Sequence, residues 1–233
     1  MLTSLLSAVA MAKTATPIAY QKVVSSGKSF HVVVANMGPK TMSAAISHEQ
    51  RLTAPRNLLV DEPIAAITGT FFDPRSHIAV GDIIIDGEQT VSGYRGSAVG
   101  VDWFGQVKII DTKRKQPVDW SLYRYAMRGA VRILSSGKVA PNPKAQGFKD
   151  SRIWGRAART GIGVTKQGKV VLIATTQKVT LSELGAAMKK QGAYNGVSLD
   201  GGGSTFLYYK GKSIVPTSRR LSNLFLIYDK PPY

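Results

Sequence analysis

The chain has 233 residues, 43% hydrophobic and 19% charged, enough for one sizeable core and too apolar for a disordered chain. Its 31 Lys and Arg against 14 Asp and Glu give a net charge of +17, which favours polyanionic partners, and the absence of cysteine excludes disulfides and thiolate metal sites. With no run of about 18 apolar residues, no transmembrane helix is expected.

The chain opens with a short apolar stretch ending in Ala10-Met11-Ala12. This matches the apolar segment and small-residue cleavage site of a secretory signal, without its basic start. Residues 1–19 are therefore read as a leader, residues 20–233 as one domain, and the protein as exported. Residues 29–37 are β-branched and apolar, a buried strand by composition. A weak helical pattern covers 41–49. Residues 63–72 read as a second strand ending in Phe71 and Phe72. Hairpins are expected around Asp86-Gly87, Phe104-Gly105, Ser136-Gly137 and Lys166-Gln167-Gly168, where Gly supplies the backbone freedom of a tight turn.

The clearest helix covers 180–192. Thr180 with Glu183 forms a capping box, Leu181, Leu184 and Met188 share a face, and Gly192 supplies the stop. Many hairpins and few helices indicate the α+β class: a single β-rich domain of mixed, mainly antiparallel sheet with a few helices.

After this helix a strand leads into Asp200-Gly201-Gly202-Gly203-Ser204. A nucleotide phosphate loop would need a Lys and a following helix, and this loop has neither. A Ser204 nucleophile would need a base, and His31, His48 and His77 stand in no recognisable catalytic setting. A calcium loop would need alternating acids. Two readings remain: a hairpin turn, or a nest of backbone amides that binds an anion beside an acid. Three adjacent glycines exceed what a turn requires, which favours close ligand approach. Upstream, Arg152, Arg156 and Arg159 surround Trp154, and their planar guanidinium groups suit bidentate phosphate contacts as well as a plain basic surface.

The run from Ala158-Arg159-Thr160 through Asp200–Ser204, followed by Arg219-Arg220 and Asn223, resembles the phosphodiester glycosidase family. The resemblance covers about residues 60–228, and its strength is the order of the pieces. It implies hydrolysis of a sugar-1-phosphodiester, of the N-acetylglucosamine-1-phosphodiester type. It also implies Asp200 as acid, base or nucleophile, Arg159 on phosphate, and Asn223 orienting substrate. Arg128, Thr160, Arg220, Ser204 and the amides of Gly201, Gly202 and Gly203 complete the expected binding groups, with Asp73 or Asp82 as a second carboxylate. The family often has Asn where this chain has Thr68, which keeps a hydroxyl and loses the amide, so Thr68 marks a difference in substrate contact.

No cofactor is expected, and a divalent metal held by acids distant in sequence is left open. A sugar phosphate or phosphate-linked glycopolymer is the expected partner; nucleic acid is not. The alternative is a non-catalytic envelope protein that binds anionic glycopolymers.

Overall fold

Tight turns organise the chain. At Ser26-Gly27, Asp86-Gly87, Ser136-Gly137 and Lys210-Gly211, two consecutive residues take positive φ, the geometry that suits the twist of a two-residue hairpin. The computed structural model describes residues 17–38, 42–113 and 115–230. The expected leader lies outside the described residues up to Thr16, and residues 17–19 lead into the first strand.

In chain order the strands are β1 (Ile18–Ser25), β2 (Lys28–Ala35), β3 (Ser43–Thr53), β4 (Ala65–Thr68), β5 (Gly81–Ile85), β6 (Glu88–Tyr94), β7 (Ser97–Asp102), β8 (Val107–Ile110), β9 (Tyr123–Ser135) and β10 (Lys138–Val139). A single helical turn, α1 (Ser151–Trp154), precedes β11 (Ala157–Thr165) and β12 (Val170–Val179). Helix α2 (Leu181–Lys190) then leads to β13 (Ala193–Ser198), β14 (Leu207–Tyr209), β15 (Lys212–Val215) and β16 (Leu221–Tyr228).

An 11-stranded sheet runs β1-β2-β12-β11-β13-β9-β5-β6, with β7, β8 and β10 attached beside β9. A five-stranded sheet runs β15-β14-β4-β16-β3. Every strand pair among the described residues is antiparallel. The protein is thus predominantly β, with 53% strand and 10% helix, not a balanced α+β mixture, and its sheets are not mixed.

The first residue of the helix expected over 41–49 lies outside the described residues, and from Ser43 onward the segment is strand β3. Its residues form no helical face; they alternate between two environments, and β3 pairs along β16 from Ser43↔Tyr228 to Thr53↔Leu221. Ala44 and Ile46 face the core between the sheets, while Ala45 packs on the opposite side. Burial on a sheet has overridden the helical preference of alanine.

Between the sheets lies the main core, built from residues such as Val33, Ile67, Ile83, Val99, Met127, Leu172, Val197 and Phe225. Helix α2 covers the outer face of the large sheet, burying Leu181, Leu184 and Met188 in a second core with Phe30, Val131, Ile133 and Phe148. Its start is the expected capping box: Thr180 Oγ1 accepts from the Glu183 amide, and the Glu183 carboxylate accepts from the Thr180 amide. The helix can approach closely because glycines face it. A Cβ at Gly196 would lie 2.2 Å from Met188 Sδ, and one at Gly163 would lie 2.9 Å from the same atom.

Gly196→Ala is accordingly expected to cost about 1–3 kcal/mol through overpacking, and Met188→Ala in the same chain should recover part of it. Chemical denaturation of the single and double variants measures both effects.

Candidate functional site

Strand β4 ends at Thr68, and its next residue lies between two partners. Gly69 donates its amide to the Asn223 carbonyl of β16 and accepts, at its own carbonyl, the amide of Asp200. The Asn223 side chain crosses Gly69, and its Oδ1 accepts from the Thr70 amide at 2.7 Å. A Cβ on residue 69 would sit 1.9 Å from that oxygen, so the crossing requires glycine. Asn223 Nδ2 donates to Ser222 Oγ, which fixes the carboxamide in place.

The large sheet delivers Asp200. Ser198 of β13 pairs with Gly161 of β11 on one side and Val131 of β9 on the other. Two residues further along these antiparallel ladders, Asp200 falls in line with Arg159 and Gly129. The Thr160 hydroxyl donates to the Asp200 carbonyl at 2.5 Å, and the Leu199 amide donates to the Thr160 carbonyl. Thr160 therefore holds the loop through its hydroxyl and its carbonyl.

Beyond Asp200 the chain makes a short 3-10 turn over Gly202–Ser204. A Cβ at Gly201 would lie 2.5 Å from the Ala158 carbonyl, and Gly202 takes φ 57°, so the first two glycines answer to close approach and to backbone conformation respectively. The Gly201 amide donates to Asp200 Oδ1 at 2.9 Å. The Ser204 and Thr205 amides close the turn onto the Gly201 and Gly202 carbonyls, leaving the amides of Gly202 and Gly203 uncommitted. Thr68, on the other side of its strand, donates its hydroxyl to the Ser204 carbonyl at 2.5 Å. It braces the glycine loop from below.

Asp200 keeps part of its surface open to solvent while protein crowds the carboxyl itself. Burial raises its pKa to about 6, against the opposing pull of Ser204, the Gly201 amide and the Arg219 charge. Ser204 Oγ is fully buried and lies near enough to favour the ionised carboxylate, yet its geometry falls short of a hydrogen bond with any protein group. The hydroxyl of Thr70, also buried, is likewise without a protein partner.

The arginines divide. Arg219 is exposed, its guanidinium lies 4.9 Å over the Phe72 ring, and its Cδ would be 3.8 Å from a Cβ at Gly203. The strap that carries it is tied to the loop by Thr217 Oγ1, which donates to the Gly203 carbonyl at 2.6 Å. Arg159 is only 2% exposed and has no carboxylate partner among the described residues. Its Nη2 donates to the Gly155 and Arg152 carbonyls and its Nε to the Val179 carbonyl, while Nη1 is uncommitted. Burial lowers its pKa to about 10, so it remains a cation at neutral pH.

Arg128 is placed differently. Its guanidinium donates to the carbonyls of Gly96, Lys113 and Gln116 and to Thr112 Oγ1, and it lies 3.6 Å from Asp82. Every nitrogen of that group is engaged in holding the segment after β8. Its neighbour Gly129, not its guanidinium, borders Thr70. Arg220 is exposed, and among the described residues its side chain has no hydrogen bond, ion pair or ring contact; its neighbour Arg219 occupies the place beside Asp200.

Of the two upstream acids, Asp82 is buried and accepts from Gln89, the Gly93 amide and Trp120. Asp73 folds back onto the Arg75 and Ser76 amides, which hold its carboxyl below the usual range. Among the described residues no group of three or more His, Asp or Glu side chains is placed to hold a metal ion.

Neither Gly69 nor Thr70 stands out as a site residue in the sequence, and the family pattern admits Arg219 or Arg220, of which Arg220 is the expected binding group. The adjacent small residues of Thr68-Gly69-Thr70 were the available signal for the first two; nothing local separates the two arginines.

Two antiparallel sheets joined at one end by an acid-bearing glycine loop, with a carboxyl raised towards neutrality and Arg219 beside it, define a β protein with a titratable junction between its sheets. The family model described as phosphodiester glycosidase matches residues 61–228, and the chain belongs to that family. Among solved structures, the catalytic domain of zebrafish N-acetylglucosamine-1-phosphodiester alpha-N-acetylglucosaminidase, auto-inhibited by its pro-peptide, superposes with a TM-score of 0.73 at 17% identity, covering 94% of this chain and 86% of that one. A hypothetical protein from Synechocystis gives 0.67 at 16% identity, covering 92% of this chain and 62% of that one. A candidate exported protein from Burkholderia pseudomallei gives 0.55 at 13%, covering 86% and 74%. At these identities the superpositions establish a shared fold. No curated protein matches the sequence.

Because the folded pKa of Asp200 is raised from 3.8 to about 6, its favourable contribution to stability is full below about pH 4 and is lost as pH rises through about 6. Asp200→Asn should therefore raise the melting temperature at pH 8, by at most about 3 kcal/mol of stability, with the gap closing towards pH 4. Thermal unfolding of both proteins at pH 4, 6 and 8 measures it; a constant gap would contradict the raised carboxyl.

Proposed function

We propose that the protein hydrolyses a sugar-1-phosphodiester, with Asp200 as the acid–base group and Arg219 and Arg159 gripping the phosphate. The observation that carries this reading is the meeting, beside one glycine loop, of a carboxyl raised to about 6 and an arginine from the neighbouring strap that acts on it electrostatically while keeping its own donors free. A phosphodiester carries one negative charge that must be held close to a carboxylate that would repel it. A carboxyl titrating near neutrality lessens that repulsion, and an uncommitted guanidinium offsets the rest.

In the reaction, water adds to the anomeric carbon, the bond from that carbon to the bridging oxygen breaks, and the phosphate monoester departs on that oxygen. The water hydroxyl ends on the sugar and its proton is released to Asp200 or to the leaving group. Arg219, laid across Phe72, meets the phosphate from solvent, while Arg159 Nη1 supplies a second positive charge from within. The amides of Gly202 and Gly203 are available to an oxyanion, and Asn223 keeps the Thr68–Thr70 segment in register with the acid. Thr68 and Thr160 act as supports for the loop, through the Ser204 and Asp200 carbonyls. The apolar, small-residue N-terminal stretch and the candidate exported protein among the fold neighbours support export as the setting.

Release of free sugar from an N-acetylglucosamine-1-phosphodiester is the direct assay. Asp200→Asn should lower kcat by at least about 100-fold and remove an inflection near pH 6 in the rate profile. Sugar release by a folded Asp200→Asn protein at the wild-type rate would refute the assignment. Tight phosphodiester binding without turnover in the wild type would instead identify a glycopolymer-binding protein. Arg219→Ala should raise KM for the phosphodiester about tenfold or more and leave neutral aryl glycosides unaffected.

A further inference from the structure

Strands β9 and β16 each run between the two ends of the sandwich. At one end they carry Gly129 and Asn223, beside Asp200; at the other they carry Tyr125 and Tyr228. Tyr228 lies five positions beyond Asn223 along β16, about 17 Å at strand rise. At the Tyr228 end a cavity of about 190 Å³ lies between the sheets and adjoins a second of about 710 Å³. The two share Asp61, Tyr228 and Lys230, so they form one cleft.

Its composition departs from the rest of the molecule. The chain carries 31 basic and 14 acidic residues, yet the cleft is lined by Asp61, Glu62, Asp102 and Asp229 against Arg124, Lys210 and Lys230. A polyanion attracted to the basic surface elsewhere would meet near-balanced charge here. Three phenol rings, from Tyr125, Tyr208 and Tyr228, line the same cleft.

Several of these groups are held in place. Tyr125 donates to Asp86 at 2.8 Å, and Arg124 pairs with the same carboxylate at 2.8 Å. Tyr228 donates to the Val60 carbonyl at 3.0 Å. Asp61 and Glu62 take φ of 53° and 54°, two successive non-glycine residues in the left-handed region, a costly conformation at one corner of the cleft. Between the lining residues Asp102 and Gly105, Phe104 stands 76% exposed, and Trp103 is pinned by its indole donating to the Ser121 carbonyl.

Aromatic rings beside carboxylates are what a neutral sugar needs: its C–H face packs on a ring while its hydroxyls donate to acids. We propose that this cleft is a second saccharide-binding site, taking one or a few neutral sugar residues at the end of the molecule opposite Asp200. It does not depend on what Asp200 catalyses.

The test is amide chemical-shift mapping of the full chain with tri-N-acetylchitotriose and, separately, maltotriose. Saturable binding of at least one, with shifts at Gly105, Tyr228 and Lys230 and not at Gly201–Gly203, is expected. Asp61→Asn, which tolerates the left-handed backbone, and Phe104→Ala, which alters only an exposed ring, should each weaken binding at least fivefold, while Asp200→Asn leaves it unchanged. The proposal is overturned by no saturable binding of either sugar, by binding lost in Asp200→Asn and kept in the two cleft variants, or by shifts confined to the glycine loop. Preference of the cleft for a lysine-rich peptide over both sugars would also overturn it.

Discussion

The site depends on one contact between sheets: Gly69 gives its carbonyl to the Asp200 amide while the Asn223 carboxamide passes over it to the Thr70 amide. Asp200 follows β13 of the large sheet, Gly69 follows β4 of the small one, and Asn223 lies in β16 of the small one. Without a Cβ at residue 69 the backbones meet closely enough for both hydrogen bonds, and with one the Asn223 oxygen would be displaced. Burial of these groups makes the arrangement stringent, because a lost partner would leave a desolvated polar group unsatisfied.

Electrostatics at the junction follows from that packing. The carboxyl of Asp200 is crowded by protein, which raises its pKa, while the residue keeps part of its surface exposed and feels the charge of Arg219. Arg159 and Arg219 have opposite settings. Arg159 is a buried cation satisfied only by carbonyls; Arg219 is an exposed cation oriented by Phe72. Arg128, no less buried, is neutralised by Asp82 and carbonyls and serves the fold. Three arginines in one chain thus differ in role because of their partners, a difference that residue type alone does not carry.

The hairpins at Asp86-Gly87 and Ser136-Gly137, the Thr180–Glu183 capping box and the strand over 29–37 were legible because each rests on local chemistry: positive φ, a side chain reaching a nearby amide, or a run of β-branched residues. Strand β3 was not, because alanines at 44 and 45 favour a helix locally and become strand only when β16 offers a partner. The order of Arg159-Thr160, Asp200–Ser204 and Asn223 was legible as a family pattern, and the match over residues 61–228 agrees with it. The choice of Arg219 over Arg220, and the support roles of Thr68 and Thr160, were not.

By itself the sequence determined the turns, the capped helix, the family and the presence of an acid-bearing glycine loop, since these depend on residues within a few positions of one another or on their linear order. Tertiary structure alone decided that the protein is almost entirely antiparallel β, that Gly69 and Asn223 seat Asp200, and which arginine faces it. Those outcomes turn on distances between residues far apart in the chain, such as Gly69 and Asn223, 154 positions apart, and on the desolvation that packing imposes, quantities that have no value until the chain has folded.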